Sequence, residues 1–136
     1  MNARATVLAM VCGGGLVFAG CSSSSEGPVA GELEVRLTTP NTDDRAVLLR
    51  LAGRQSAVTA PSGSTYRVLS APGLGDTVRV LVMAPQGSSL AAGPLVRVMV
   101  PDVRQVSSYA ARVLDVASTS YAKRATTGYA LAVVKP

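Results

Sequence analysis

From Glu32 onward, apolar and polar residues alternate along the chain, which is the period of a pleated strand whose side chains point in turn to opposite faces. In ELEVRLT, Glu32–Thr38, Leu33, Val35 and Leu37 share one face while Glu34 and Arg36 share the other. The spacing returns in RAVLLRL (Arg45–Leu51), SAVTA (Ser56–Ala60), TYRVLS (Thr65–Ser70) and DTVRVLVMA (Asp76–Ala84). It returns again in PLVRVMV (Pro94–Val100), VSSYAARVLDVA (Val106–Ala117) and GYALAVV (Gly128–Val134), which makes eight predicted strands. Turn and strand-edge chemistry divides them: Thr39–Asp44, Pro61-Ser62-Gly63, Pro72-Gly73, Pro85-Gln86-Gly87, Gly93-Pro94 and Pro101-Asp102. No segment sustains a helical period. Short aliphatic runs at regular spacing predict an all-β fold over residues 32–136, an antiparallel β-sandwich.

The first thirty residues follow another pattern. Asn2 and Arg4 make a short positive start, an uncharged run extends from Ala5 to Gly20, and small residues precede Cys21. That run is shorter than the roughly 20 apolar residues of a spanning helix and is weakened by Gly13, Gly14 and Gly15, so it reads as a secretory leader over residues 1–20. Phe18-Ala19-Gly20-Cys21 resembles the lipobox of bacterial lipoproteins, with Phe18 where leucine usually stands. The resemblance implies that Cys21 becomes the lipid-bearing first residue of the mature protein and anchors it to a membrane. Cysteine arithmetic points the same way. Cys12 leaves with the leader, and lipid on Cys21 accounts for a sole thiol in an oxidising compartment. Ser22–Ser25, Glu26-Gly27-Pro28 and the residues to Gly31 carry no apolar period and read as a tether. Ser22 beside the cysteine resembles lipoproteins that are forwarded to the outer membrane of diderm bacteria.

The predicted sandwich has the size of an immunoglobulin-like domain, but it lacks the internal Cys…Trp…Cys pattern of antibody domains, so packing alone must hold it. Leu90–Asp102, LAAGPLVRVMVPD, is similar to the late strand of cohesin-like bacterial sandwiches, in which a small-residue turn leads into an alternating strand. Cohesins are binding modules, and the resemblance implies a surface adhesion or scaffolding role. No binding residue carries over from it.

Charge adds one constellation. Thirteen Lys and Arg face eight Asp and Glu, a net +5, and loss of the leader with Arg4 leaves twelve against eight, or +4. Arg36, Arg50, Arg67, Arg79, Arg97 and Arg112 each stand inside a predicted strand between apolar neighbours. An unpaired guanidinium is costly to bury, so all six must point outward and give both sheets an external arginine row. Such rows serve either as a solvated face that discourages edge pairing or as a contact for anionic envelope material, whether lipid headgroups or acidic polysaccharide. Nucleic acid is not expected as a partner, because Tyr66, Tyr109, Tyr121 and Tyr129 are not interleaved with a basic cluster.

Catalytic chemistry finds little support in the residue types. The chain has no His, the usual proton shuttle near neutral pH. Ser120-Tyr121-Ala122-Lys123 matches the S-x-x-K of acyl-transfer nucleophiles, but it lacks the helix start and the accompanying motifs, and it falls in the loop before the last strand. Asn41, Asp43 and Asp44 gather hard oxygens; Ca²⁺ takes about six to eight, and the rest of an EF-type loop is missing, so the stretch reads as a turn. Gly73-Leu74-Gly75 reads as a strand connection, since no helix follows to cradle a phosphate. No metal or cofactor is expected. The reading is a lipid-anchored, non-enzymatic binding or structural sandwich of the cell envelope, with an envelope enzyme or its accessory subunit as the rival.

Overall fold

The computed structural model describes residues 26–136; the expected leader (1–20) and Cys21 lie outside the described residues. Nine strands follow in order: β1 Gly31–Thr38, β2 Asp44–Ala52, β3 Ala57–Thr59, β4 Arg67–Pro72, β5 Thr77–Met83, β6 Gly93–Val100, β7 Ala110–Ser118, β8 Lys123–Arg124 and β9 Ala130–Val134. They form two antiparallel sheets, a four-stranded one in the order β3-β6-β1-β9 and a five-stranded one in the order β4-β5-β2-β7-β8. The all-β sandwich read from the alternation is the fold observed. Each of the eight expected runs contributes a strand, and the ninth, β8, is a two-residue strand that pairs with the end of β7.

The inward positions are those the period predicts. Leu33, Val35 and Leu37 of β1, Val47, Leu49 and Leu51 of β2, and Val78, Val80 and Val82 of β5 are all buried. They meet Val96, Val98 and Val100 of β6, and Val116 of β7, in one continuous core. Among the described residues all the buried apolar side chains lie between Leu33 and Val116, within the sandwich.

Three irregularities shift the register, one of them at the start of β2, where Arg45 is the extra residue between Asp44 and Ala46. In β6, Leu95 is the extra residue between partners Pro94 and Val96, and it is buried together with Val96. In β7, Leu114 is the extra residue: Val113 pairs with Leu49 and Asp115 with Leu48. The insertion lets Val113 and Val116, three apart, both turn toward the core, which strict alternation forbids.

The beginning of the seventh run departs from expectation. The alternation predicts strand over Val106–Tyr109, yet Val103–Ser108 forms a 3₁₀ helix and β7 begins only at Ala110. The cause is local. Asp102, in extended backbone, accepts a hydrogen bond on its side chain from the Arg104 amide and so caps the turn. This helix carries the chain from β6 across to β7 at the end of the sandwich where β1 also begins. Gly53 closes β2 at that same end with φ +120°, and a Cβ there would lie 2.4 Å from the Tyr109 ring. The Tyr109 hydroxyl donates to the Arg54 carbonyl at 2.5 Å and fixes the ring over the glycine.

Candidate functional site: an arginine row on the five-stranded sheet

The register sets the six strand arginines in two different situations. On the outer face of the four-stranded sheet, Glu34 pairs in register with Arg97, and Glu32 and Arg36 flank them on the same face. Arg36 Nη1 lies 2.7 Å from Glu34 Oε1, and Arg97 Nη1 lies 3.0 Å from Glu32 Oε2. Two arginines and two glutamates leave this face without net charge.

The five-stranded sheet differs. Arg50 of β2 is the direct partner of Arg79 on β5 and of Arg112 on β7, so three arginines stand side by side across three adjacent strands. Ala71 of β4 continues the row beyond Arg79. All three guanidinium side chains are exposed, and none forms an ion pair among the described residues. Arg67, partner of Met83, stands two rows farther along β4, also exposed and without an ion pair. The expectation of an arginine row on each sheet therefore resolves into one neutralised face and one basic face.

Around the three arginines the surface forms an open groove of about 600 Å³, lined further by Pro72, Gly73, Leu74, Thr77 and Leu114. Leu74 projects from the β4–β5 turn and is 90% exposed. The turn is held by the Thr77 hydroxyl, which donates to the Leu74 carbonyl at 2.6 Å, and by the Gly73 amide on the Thr77 carbonyl at 2.8 Å. Cross-strand partners have Cβ atoms about 5 Å apart, and like charges placed so are destabilising. The row has the geometry of a cation array fitted to an anion, with guanidinium forks that match carboxylate or phosphate oxygens. Beyond it, toward the far end of the sheet, Leu48, Leu81 and half-exposed Leu69 form an apolar row.

Apart from exposed Asp76, the remaining carboxylates are held in structural contacts. Asp44 is wholly buried; its Oδ1 accepts from the Tyr129 hydroxyl at 2.6 Å and its Oδ2 from the Thr39 hydroxyl at 2.5 Å. Arg124 Nε stands 3.3 Å from Asp44 Oδ1, within ion-pair range though not aligned as a hydrogen bond, and Arg124 Nη2 reaches Asp43 Oδ2 at 2.5 Å. Burial, reinforced by the Asp44 carboxylate, raises the Tyr129 hydroxyl above its ordinary pKa. The Asn41–Asp44 stretch is a turn tied to β8 and β9, and among the described residues no group of three or more acidic, His or Cys side chains could hold a metal ion.

Ser120 and Lys123 of the S-x-x-K match do not meet: Ser120 Oγ is 2.9 Å from Ser118 Oγ, and Lys123 Nζ is 3.1 Å from Asp115 Oδ2. Gly73-Leu74-Gly75 connects β4 to β5 as read from the sequence.

A second cluster, which the sequence reading did not single out, binds the N-terminal segment. Asp102 Oδ1 accepts from the Val29 amide at 3.2 Å and from Arg104 Nε at 3.1 Å. Arg104 Nη2 in turn donates to the Glu26 and Gly27 carbonyls, at 3.1 and 2.5 Å. The Arg104 guanidinium is the main cause that holds the Asp102 carboxyl well below the usual carboxylate range, at about 2. The only sequence signal for it was the Pro101-Asp102 turn, which carries no information about a partner more than seventy residues away.

No protein-family model, no curated protein and no solved structure matches the chain. Among the described residues no helix is long and apolar enough to cross a membrane.

Proposed function

We propose that the chain is a lipid-anchored lipoprotein of the cell envelope, of the outer membrane in a diderm host, whose sandwich is a non-catalytic binding domain for anionic envelope material. One observation carries the binding part of this reading. The unpaired arginines Arg50, Arg79, Arg112 and Arg67 gather on one sheet face, while every acidic residue of the described chain except Asp76 is already engaged in an ion pair. That face holds the largest group of cations without an ion pair among the described residues, the others being Arg45, Arg54 and Lys135. The Ala19-Gly20-Cys21 context supports the anchor, and the cohesin-like likeness of Leu90–Asp102 agrees with a binding role.

The anchor is tested by replacing Cys21 with Ala in the native host. The variant should accumulate unprocessed or leave the membrane fraction, with loss of the lipid mass. Quantitative membrane fractionation with an unchanged mature mass would dismiss lipidation.

A second reading, a subunit of a larger envelope complex or enzyme assembly, draws on the apolar row of Leu48, Leu81 and Leu69 and on the 72%-exposed Tyr121 beside it. In-cell crosslinking from Leu69, with mass-spectrometric identification of the captured neighbour, separates the two: a single stoichiometric protein partner supports the assembly.

A further inference from the structure

We propose that the corner of the sandwich bearing Arg50, Arg79, Arg112 and Leu74 docks onto an anionic phospholipid bilayer, with its orientation set by the Asp102–Arg104 clamp at the root of the N-terminal segment. This deepens the anchored-lipoprotein reading and rests on it.

Position is the first argument. The chain enters the sandwich through Glu26–Ala30, which the Asp102 carboxylate, the Arg104 guanidinium and the Val103 amide on the Val29 carbonyl bind to the domain. Gly31 then opens β1 at the end of the sandwich where β2 and β4 finish and β5 and β7 begin. Ala52, Thr77 and Ala110 form the last row of the outer sheet at that end, and the arginine row is the next one in. From Cys21 to Glu26 the covalent chain spans at most about 18 Å at full extension. A lipid on Cys21 keeps this end against the bilayer, and the arginine row and Leu74 are at the same end.

Chemistry is the second argument. Guanidinium forks bind phosphate oxygens bidentately, and three of them in one row with no carboxylate partner are matched to a surface of phosphate headgroups. A single exposed leucine is ordinary on a protein surface. Leu74, however, leads the turn that rims the cationic groove, so it can enter the acyl boundary while the long arginine side chains stay at headgroup level. A hydrated acidic polysaccharide offers Leu74 no such environment, which is why the bilayer is the favoured occupant. Toward the opposite end Arg45 and Arg67 also lack ion pairs, but they form no arginine row with a cross-strand arginine, Arg45 lies over the Tyr121 ring, and the N-terminal segment does not enter there.

The chain has no Trp, so Leu74→Trp gives a unique reporter. The piece Cys21–Pro136 holds all nine strands and every buried apolar side chain among the described residues, and it can be coupled through Cys21 to a maleimide lipid in preformed vesicles. On phosphatidylglycerol vesicles the Trp emission should shift to the blue and be quenched by brominated acyl chains. Adding Arg50→Gln, Arg79→Gln and Arg112→Gln should remove both effects, and Tyr121→Trp at the far end should report neither. For the uncoupled Cys21→Ala chain, the triple substitution should lower vesicle affinity roughly 100-fold, since each basic residue at an anionic surface contributes about 1 kcal/mol. Circular dichroism checks that each variant is folded, and a triple Arg→Lys variant should regain the charge-driven part of the binding but not the part due to bidentate phosphate contacts.

The anchor is supplied chemically, so failure here overturns the docking while lipidation stands or falls on the mature mass. Identical Leu74→Trp spectra on anionic and zwitterionic vesicles would overturn it. So would binding of a soluble polyuronate as tight as vesicle binding, with no quenching, which would assign the row to polysaccharide.

Discussion

Arg50 and Arg112 stand directly opposite one another in the β2–β7 ladder, and neither has a carboxylate within ion-pairing distance. With Arg79 on the other side of Arg50, the middle arginine experiences two like charges at cross-strand separation. Such an arrangement weakens the free domain and is relieved by a bound anion. Arg50→Gln should therefore raise stability by about 0.5 kcal/mol, read by urea denaturation at low salt. The gain should shrink as ionic strength rises, because screening already softens the repulsion in the parent. A loss of stability on removing Arg50 would mean that the row is internally compensated.

The Asp102 clamp makes a prediction about acid. Its carboxyl titrates near 2 in the folded protein against an ordinary 3.8, so the folded state favours the ionised form. The contribution is fully present above pH 3.8 and is lost as pH falls through about 2. Asp102→Asn should flatten the stability profile across that window and, at neutral pH, expose the Glu26–Ala30 segment to proteolysis. Limited digestion with mass mapping of the new N-terminus measures the second effect.

Tyr129 is the hydroxyl that serves the wholly buried Asp44. Tyr129→Phe removes that donor and leaves a desolvated carboxylate short of a partner, for a cost of about 1–3 kcal/mol in urea denaturation. Asn41→Ala, which removes only the outer partner of the same hydroxyl at 2.7 Å, should cost less. Because the folded-state pKa of Tyr129 is raised, its contribution is complete below pH 10.0 and is lost as pH climbs beyond the folded value. The Phe variant should lack this alkaline decline.

Gly53→Ala should destabilise the domain by about 1–3 kcal/mol, since the residue holds φ +120° and the new Cβ meets the Tyr109 ring. In a double-mutant cycle with Tyr109→Ala, the steric part should disappear and the backbone part remain. Thermal unfolding of the four proteins provides the cycle.

The faces of individual strands were legible and the relations between strands were not. Period two placed Leu33, Val35 and Leu37 on the core face and Glu34 with Arg36 on the other, because alternation is a property of one segment read alone; that Glu34 is buried on that other face, against Arg36, was not legible. The extra residue at Leu114 has no sequence signature, so Val113 and Val116 could not be assigned to the same face. The 3₁₀ helix was read as strand because Val106 and Tyr109 suit either state, and the deciding contact, Asp102 with the Arg104 amide, is a side-chain cap. Outward arginines could be named from burial cost. That Arg97 meets Glu32 while Arg50 meets Arg79 and Arg112 depends on register between segments up to sixty-odd residues apart.

Sheet order has a kinetic consequence. Only β4–β5 and β7–β8 join strands that follow one another in the chain, whereas β1 is completed by β9, with Arg36 beside Ala132. Closing loops of that length before any ladder bond rewards them puts folding in the millisecond-to-second regime of non-local β proteins. The first strand has no outer neighbour until β9 has been synthesised. In the exported lipoprotein proposed above, slow closure of this kind would preserve a threadable, extended state during passage through a translocation channel, and the sandwich would assemble only after β9 had crossed.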